Sequence, residues 1–382
     1  MIGGMRLRNR IALPPLTTNF GNAAGEVTAD VLAFYEERAR DVGLVIVEAT
    51  AVRPDGRITP YSLGLWRDEQ IKGMKALAET IKRNGAAAVI QLNHAGARSV
   101  PIEGGILRAS PSALPLSLGP RPTALSEGQI AEFVEDFVAA ASRAAAAGFD
   151  GVEVHGAHYY LISEFVSPLC NQRGDRYGGD AVRRSTLAVE VVRAVRSRLD
   201  ERCAVLFRLN AIEAIAGGQT LEESVVTAMQ VKAAGVDALD ISAIPEASWH
   251  EEKGERSLIT RSMLARTAPP GANAVYAATI RSATSLPTIA VGKLGHSAVA
   301  SDILARGDAD VVAIGRQMIV DPAAAGKILA GQDEDIIRCK ECLMCLTSVA
   351  TGVNGVKCAL HRRVIGGTNQ AGGKTEPKAA DH

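Results

Sequence analysis

Three of the chain's six cysteines fall within the seven residues "CKECLMC", Cys339 to Cys345, and a fourth follows at Cys358, giving C-x2-C-x2-C-x12-C. Thiolates are soft ligands, and four clustered in a chain that opens without an apolar leader ("MIGGMRLRNR") point to metal or redox chemistry rather than disulfides. Spacing alone leaves three readings open: an iron–sulfur cluster, a structural zinc, or incidental thiols. Zinc more often pairs two C-x2-C knuckles, and only one end of this pattern has that form. Cys170 and Cys203 lie far upstream and read as core residues. A second group able to carry protons is the run "HGAHYY", which places His155, His158 and Tyr160 within six residues.

Something must hold these groups in place. Eight short apolar runs read as strands: "RIALPPL", "LVIVEAT", "AAVIQLN", "GVEVHG", "AVLFRLN", "ALDISA", "PTIAVG" and "DVVAIGR". Amphipathic, alanine-rich stretches between them predict helices over 29–42, 67–84, 127–148, 181–199, 219–235 and 296–307. The segments "AAAAGFDGVEV", "VKAAGVDALDIS" and "LARGDADVVAIG" each end a helix at glycine, turn through aspartate and enter a β-branched run. Eight buried strands alternating with helices imply the α/β class, as one closed (β/α)8 TIM barrel. A doubly wound open sheet is the alternative, and no G-x-G-x-x-G turn opens a helix to support it.

In a barrel the carboxyl ends of the strands line the active site. Those ends carry Thr17 (just after Pro15), Ala51, Gln91 with His94, the His155, His158 and Tyr160 group, Arg208, Ser242, Gly292 and Gly315–Arg316. All but Ala51 offer a hydrogen-bonding group or a glycine. A barrel is expected over 1–330, a cysteine-bearing segment over 331–366 and a polar, disordered tail over 367–382.

Lys+Arg and Asp+Glu are both 42, so the net charge is zero and a nucleic-acid partner is not expected. No apolar run reaches the roughly 20 residues that span a bilayer. A cytoplasmic enzyme with a small-molecule substrate is the expectation.

The stretch "HGAHYYLISEFVSPLCNQRGDRYGG", residues 155–179, resembles the signature of the old yellow enzymes, FMN-containing barrels of the NADH:flavin oxidoreductase family, and the likeness runs from "LRNRIALPPLT" to "AIGRQMIVDP". The resemblance implies a role for each strand end. Pro15, Thr17, Ala51 and Gln91 would border the flavin ring, Thr17 near N5 and Gln91 on the pyrimidine edge. Arg208 would sit near N1, where reduced flavin is negative. Gly292, Lys293, Gly315 and Arg316 would hold the phosphate. His155 and His158 would bind a substrate oxygen as an oxyanion hole, and Tyr160 would protonate carbon. Three departures stand out. Tyr159 replaces the usual glycine and is expected to narrow the pocket, the short N-terminus is expected to leave the barrel floor partly uncovered, and "VGKLGH" replaces a double glycine. The loop over 97–126 is expected to shape specificity.

The cysteine spacing is similar to that of the family's iron–sulfur branch, 2,4-dienoyl-CoA reductase and trimethylamine dehydrogenase. That likeness implies a [4Fe–4S] cluster on Cys339, Cys342, Cys345 and Cys358. "SWHEEKGE", 248–255, resembles a W-H-E segment of that branch, which implies His250 as a second acid or substrate-orienting residue. The relatives continue for hundreds of residues where this chain stops. A separate electron-transfer protein (ferredoxin, electron-transfer flavoprotein or reductase) is therefore expected beside NAD(P)H as electron donor, and the chain is expected to pair with itself. The reaction expected is reduction of an activated C=C bond in an enone, enoate or enoyl thioester. A flavin amine dehydrogenase or N-demethylase, and a flavin-free, zinc-stabilised barrel lyase or isomerase, are the alternatives.

Overall fold

The computed structural model describes residues 1–100, 108–114, 121–252, 255–361 and 364–365. The tail expected over 367–382, part of the 97–126 loop and part of "SWHEEKGE" lie outside the described residues. Eight parallel strands close into a barrel: β1 (Ile11–Leu13), β2 (Leu44–Ala51), β3 (Ala87–Asn93), β4 (Gly151–Gly156), β5 (Ala204–Glu213), β6 (Ala238–Ile244), β7 (Thr288–Val291) and β8 (Val311–Ala313). Pairing of Ile11 with Val312 closes the ring. The open-sheet alternative is thereby set aside. Nearly every strand residue is buried, which is why these strands read as continuous apolar runs rather than alternating ones. β1 is shorter than its run because Pro14 and Pro15 cannot donate to a ladder.

The outer ring is α1 (Ala29–Ala39), α2 (Ile71–Arg83), α3 (Glu127–Ala146), α4 (Thr186–Arg198), α5 (Leu221–Ala234), α6 (Ala274–Thr284), α7 (Ser297–Arg306) and α8 (Ala324–Leu329). Capping boxes at Ser126–Gln129 and Thr220–Glu223 start α3 and α5. The helix expected over 181–199 breaks at Ser185, whose hydroxyl turns back to the Ala181 carbonyl at 2.7 Å. The αβ turns explain the register. Asp150, Asp237 and Asp310, one before each of three strands, accept the backbone N–H of Ala88, Val205 and Thr288 on the neighbouring strand at 2.8–3.0 Å. Each carboxylate thus locks two adjacent strands at their start.

The floor is covered, contrary to expectation. Ile2 and Met5 bridge to each other and pack among Ala12, Leu44, Ile46, Val89 and Leu206 inside the barrel. Gly3 and Gly4 permit this turn: a Cβ on Gly4 would meet the Arg202 carbonyl at 2.9 Å. The segment after β6, expected as a loop, is an antiparallel hairpin of Glu246–Glu252 with Glu255–Arg261. Among the described residues, no helix is long and apolar enough to cross a membrane.

The cysteine segment is tied to the barrel at several points. Arg38, fully buried on α1, donates to the carbonyls of Met318 (2.9 Å) and Val364 (3.0 Å). Asn19, at a left-handed φ of 57°, donates to the Val353 carbonyl at 2.6 Å and accepts from Gly355 through its own carbonyl at 2.8 Å. Gln317 brackets the strand-like approach, accepting from the Cys339 amide at 3.1 Å and donating to the Ile337 carbonyl at 2.7 Å. Replacing Arg38 with alanine leaves two buried carbonyls and a void, and should cost roughly 3 kcal/mol in denaturant unfolding. Limited proteolysis should then cut first between residues 338 and 361. A variant as stable and protease-resistant as the parent would remove Arg38 from this role.

Candidate active site

A cavity of about 890 Å3 opens at the carboxyl ends of the strands. Pro15, Thr17, Gln91, His155, His158, Tyr160, Arg208, Ser242, Gly292, Lys293, Gly315 and Arg316 all line it. Ala51 does not: β2 carries a register shift between Val47 and Thr50, so Ala49 faces the cavity while Ala51 pairs through its backbone with Leu63 and Leu65. His94 turns outward, edge-on to Phe133 and 3.5 Å from Asp55. His250 is exposed on the hairpin, paired in register with Ser257, and is not among the cavity residues.

Sharp backbone geometry aims the histidines. β4 ends at Gly156, and His158 and Tyr159 both take left-handed φ values, 64° and 56°, which ordinary side chains adopt only under constraint. The Asn210 side chain supplies part of that constraint, accepting the His158 amide at 3.2 Å. His155 Nε2 lies 2.9 Å from His158 Nδ1, and His158 Nε2 lies 2.7 Å from Ser242 Oγ. His155 Nδ1 ends this chain buried and without a partner. Burial holds both imidazoles well below their ordinary pKa, with Arg208 pushing the same way, so both are neutral. The Tyr160 ring stands edge-on to His155 at 5.0 Å, and burial raises its phenol above the ordinary value. Tyr159 points elsewhere. It is fully buried with Ala97, Cys170, Ile244 and Leu258 beneath the hairpin, and does not narrow the cavity.

Below the histidines lies a buried polar layer. Gln91 donates to Glu153 at 2.7 Å, and Arg208 faces Asp240 at 3.4 Å without the alignment of a hydrogen bond. Glu153 and Asp240 are both fully buried. Burial and the Asp240 charge drive the Glu153 pKa well up, so Glu153 holds a proton; burial also raises Asp240, with Arg208 opposing that rise. Further along the rim, Arg316 has no side-chain partner among the described residues. Gly292 has φ 133°, and a Cβ there would meet Asn273 and Leu264 at 3.1 Å. A free guanidinium beside such a bare backbone suits a phosphate. Lys293 is committed otherwise: its ammonium donates to the carbonyls of Arg266 (2.9 Å) and Ala268 (2.8 Å) and pairs with Glu341 at 3.1 Å.

Cys339 and Cys345 reach this same cavity. All four cysteines of the motif line a second, small cavity of about 20 Å3 with Arg316, Ile319 and Val320. Among the described residues, no three His, Cys, Asp or Glu side chains converge tightly enough to hold a single metal ion. Glu341 and Leu343 take left-handed φ, 55° and 60°, between the cysteines. The Glu341 amide donates to Cys339 Sγ at 3.4 Å and the Leu360 amide to Cys358 Sγ at 3.5 Å.

The barrel mouth thus combines an arginine with no side-chain partner among the described residues, a cation facing a buried carboxylate, and neutral imidazoles beside a phenol, a set able to hold an anionic group and handle protons. The chain belongs to the NADH:flavin oxidoreductase / NADH oxidase family, which it matches over residues 1–335. It is 37% identical over 345 residues to an NADH oxidase of Thermoanaerobacter brockii, covering 89% of this chain and 52% of that protein. An NADPH dehydrogenase of Halalkalibacterium halodurans is 36% identical over 326 residues, 84% of this chain and 90% of the relative. The solved 2-naphthoyl-CoA reductase bound to 2-naphthoyl-CoA superposes with a TM-score of 0.86 at 25% identity, over 95% of this chain and 56% of that one. The chain thus spans about half the length of the NADH oxidase and the naphthoyl-CoA reductase, and most of the NADPH dehydrogenase. The family match stands against the flavin-free lyase or isomerase alternative.

Sequence reasoning missed Arg98, Glu153 and Asp240. The last two carry a readable signal, an acid inside an otherwise apolar strand run ("GVEVHG", "ALDISA"). Buried carboxyls also set the pH dependence of the fold. Burial holds Glu48 and Glu213 up at about 7 and Glu164 at about 8, against 4.5 when exposed. A raised carboxyl stabilises the fold fully below pH 4.5, and that contribution is lost as pH climbs to 7–8. Thermal stability should therefore fall between pH 6.5 and pH 8.5, above the range in which the buried neutral histidines add stability as pH rises. Glu164→Gln, which still accepts the Ala97 amide, should flatten that fall by about 1.4 kcal/mol for each pH unit removed. A melting temperature rising over this range would contradict the assignment.

Proposed function

We propose that this enzyme reduces an activated C=C bond, in an enone, enoate or enoyl thioester, and that FMN bound in the main cavity supplies the hydride from N5. The observation that carries this is a neutral histidine pair beside a protonated, buried phenol in one cavity. With Ser242 donating to His158 and His158 to His155, the chain ends in a free N–H at His155 Nδ1. Donors of this kind stabilise negative charge growing on a substrate oxygen, each by about 3 kcal/mol. They suit an oxygen acceptor better than a cationic amine, which sets the dehydrogenase reading behind. Tyr160, whose phenol burial raises above the ordinary value, would deliver its proton to the α-carbon. Arg316 with Gly292 and Gly315 would hold the FMN phosphate, Gln91 and Arg208 the pyrimidine edge, and Pro15 and Thr17 the ring beside N5. His250 stays a candidate only for a substrate that reaches the hairpin.

The four cysteines would hold a [4Fe–4S] cluster. Their spacing resembles that of the family's iron–sulfur branch, all four line one small cavity, and amide donors aimed at two sulfurs favour thiolates. Residues 331–366 would form this unit against a barrel of 1–330, in the reducing cytoplasm. NAD(P)H, or a ferredoxin, electron-transfer flavoprotein or reductase, would supply electrons, and a second copy of the chain is a candidate partner. Anaerobic purification should yield one flavin and four irons with matching sulfide per chain; stoichiometric zinc would end the cluster assignment. Tyr160→Phe should slow alkene reduction about 100-fold while flavin reduction by NAD(P)H stays near parental. Equal loss in both half-reactions would assign Tyr160 a structural part.

A further inference from the structure

Five cationic side chains line the main cavity: Arg98, Arg208, Lys293, Arg316 and Arg338. Three are balanced by carboxylates. Arg208 faces Asp240 at 3.4 Å, Lys293 pairs with Glu341 at 3.1 Å, and Arg338 pairs with Asp333 at 2.9 Å. Arg316 and Arg98 have no carboxylate within ion-pair distance among the described residues. Arg316 stands at the end of β8, where the phosphate reading uses it. Arg98 is left over, on the loop after β3.

Its surroundings hold it in place without neutralising it. Arg98 Nη2 donates to Thr260 Oγ1 on the hairpin at 2.9 Å, and the guanidinium lies 5.4 Å from the centre of the Tyr159 ring. Nε is buried with no partner among the described residues. The buried carboxyl whose ionisation its charge favours, Glu164, accepts the Ala97 amide and keeps its proton up to about pH 8. The charge also bears on His158 and Tyr160, holding both below where burial alone would put them. The cation therefore stands on the substrate's side of the cavity, close to the groups that handle the reacting atoms. Leaving it uncompensated is costly, and an arriving anion would relieve that cost.

We propose that Arg98 is the substrate-recognition cation of this site, and that the preferred alkene carries a carboxylate. This deepens the ene-reductase reading and rests on it. A planar guanidinium with Nε and Nη1 unused matches the two oxygens of a carboxylate. The chemistry gives a reason for a cation here. A carboxylate activates a C=C bond weakly because it is already negative, and neutral imidazoles do not offset the added charge. A guanidinium close by does.

The test is calorimetric titration of the purified full-length protein with cinnamate and with cinnamamide, its uncharged counterpart of similar shape. Cinnamate should bind at least roughly 10-fold more tightly than the amide. Arg98→Leu should erase that preference and leave amide binding within about 2-fold, while Arg98→Lys keeps part of it. Thr260→Val, which removes the hydroxyl anchor and keeps the charge, should retain most of the preference. Steady-state reduction should follow the same order, with Arg98→Leu raising KM for the acid and sparing the amide. If Arg98→Leu weakens both ligands alike, or neither, the residue is a structural tie to the hairpin and the proposal falls. Because heat is read directly, an Arg98-dependent preference in protein that takes up no flavin would sustain this assignment and overturn the ene-reductase reading.

Discussion

Desolvation governs this molecule. The mouth of a closed barrel offers little water, yet two histidines, two tyrosines, two acids and an arginine are packed into or beneath it. In a low dielectric each group keeps its charge only if another compensates it. Arg208 faces Asp240, Glu153 holds its proton because burial and the Asp240 charge both disfavour its ionisation, and the imidazoles stay neutral because they are buried, with Arg208 acting the same way. The protonation states that suit reduction of a polarised alkene thus follow from burial and charge order, without any one residue being exotic.

The same logic applies to the backbone. The strained turn at His158 and Tyr159 persists because Asn210 holds an amide and the Tyr159 ring is locked into a second small core. Much of the rest of the long signature stretch ties its own loop together. Asn171 donates to the carbonyls of Phe165 (2.6 Å) and Tyr177 (2.7 Å), and Arg173 pairs with Asp175 while donating to Pro111. The cysteine segment is fastened where β1 and β8 meet, so the site's most distant sequence neighbours share one wall.

The barrel was legible because its strands are buried on both faces and each αβ turn advertises itself with glycine and aspartate. Most cavity residues were legible too, since strand ends are countable. What escaped has physical causes. A register shift in β2 moved the cavity position from Ala51 to Ala49, and bulges leave no mark in an apolar run. Lys293 looked like a phosphate ligand until loop carbonyls, far off in sequence, claimed its ammonium. His250 fell in a polar stretch whose pairing into a hairpin depends on a partner strand that carries no turn signature. Tyr159 seemed set to crowd the pocket because a left-handed backbone, which sends the ring the other way, is not written in residue type.

Among the described residues, Arg316 is the one cationic side chain that borders two chambers. Arg316 lines both the large cavity and the small one ringed by thiols. A cation shared by two compartments would make their contents thermodynamically dependent: negative charge seated on one side would draw on the attraction available to the other. Were both chambers filled by anionic groups, each would alter how firmly the other is held.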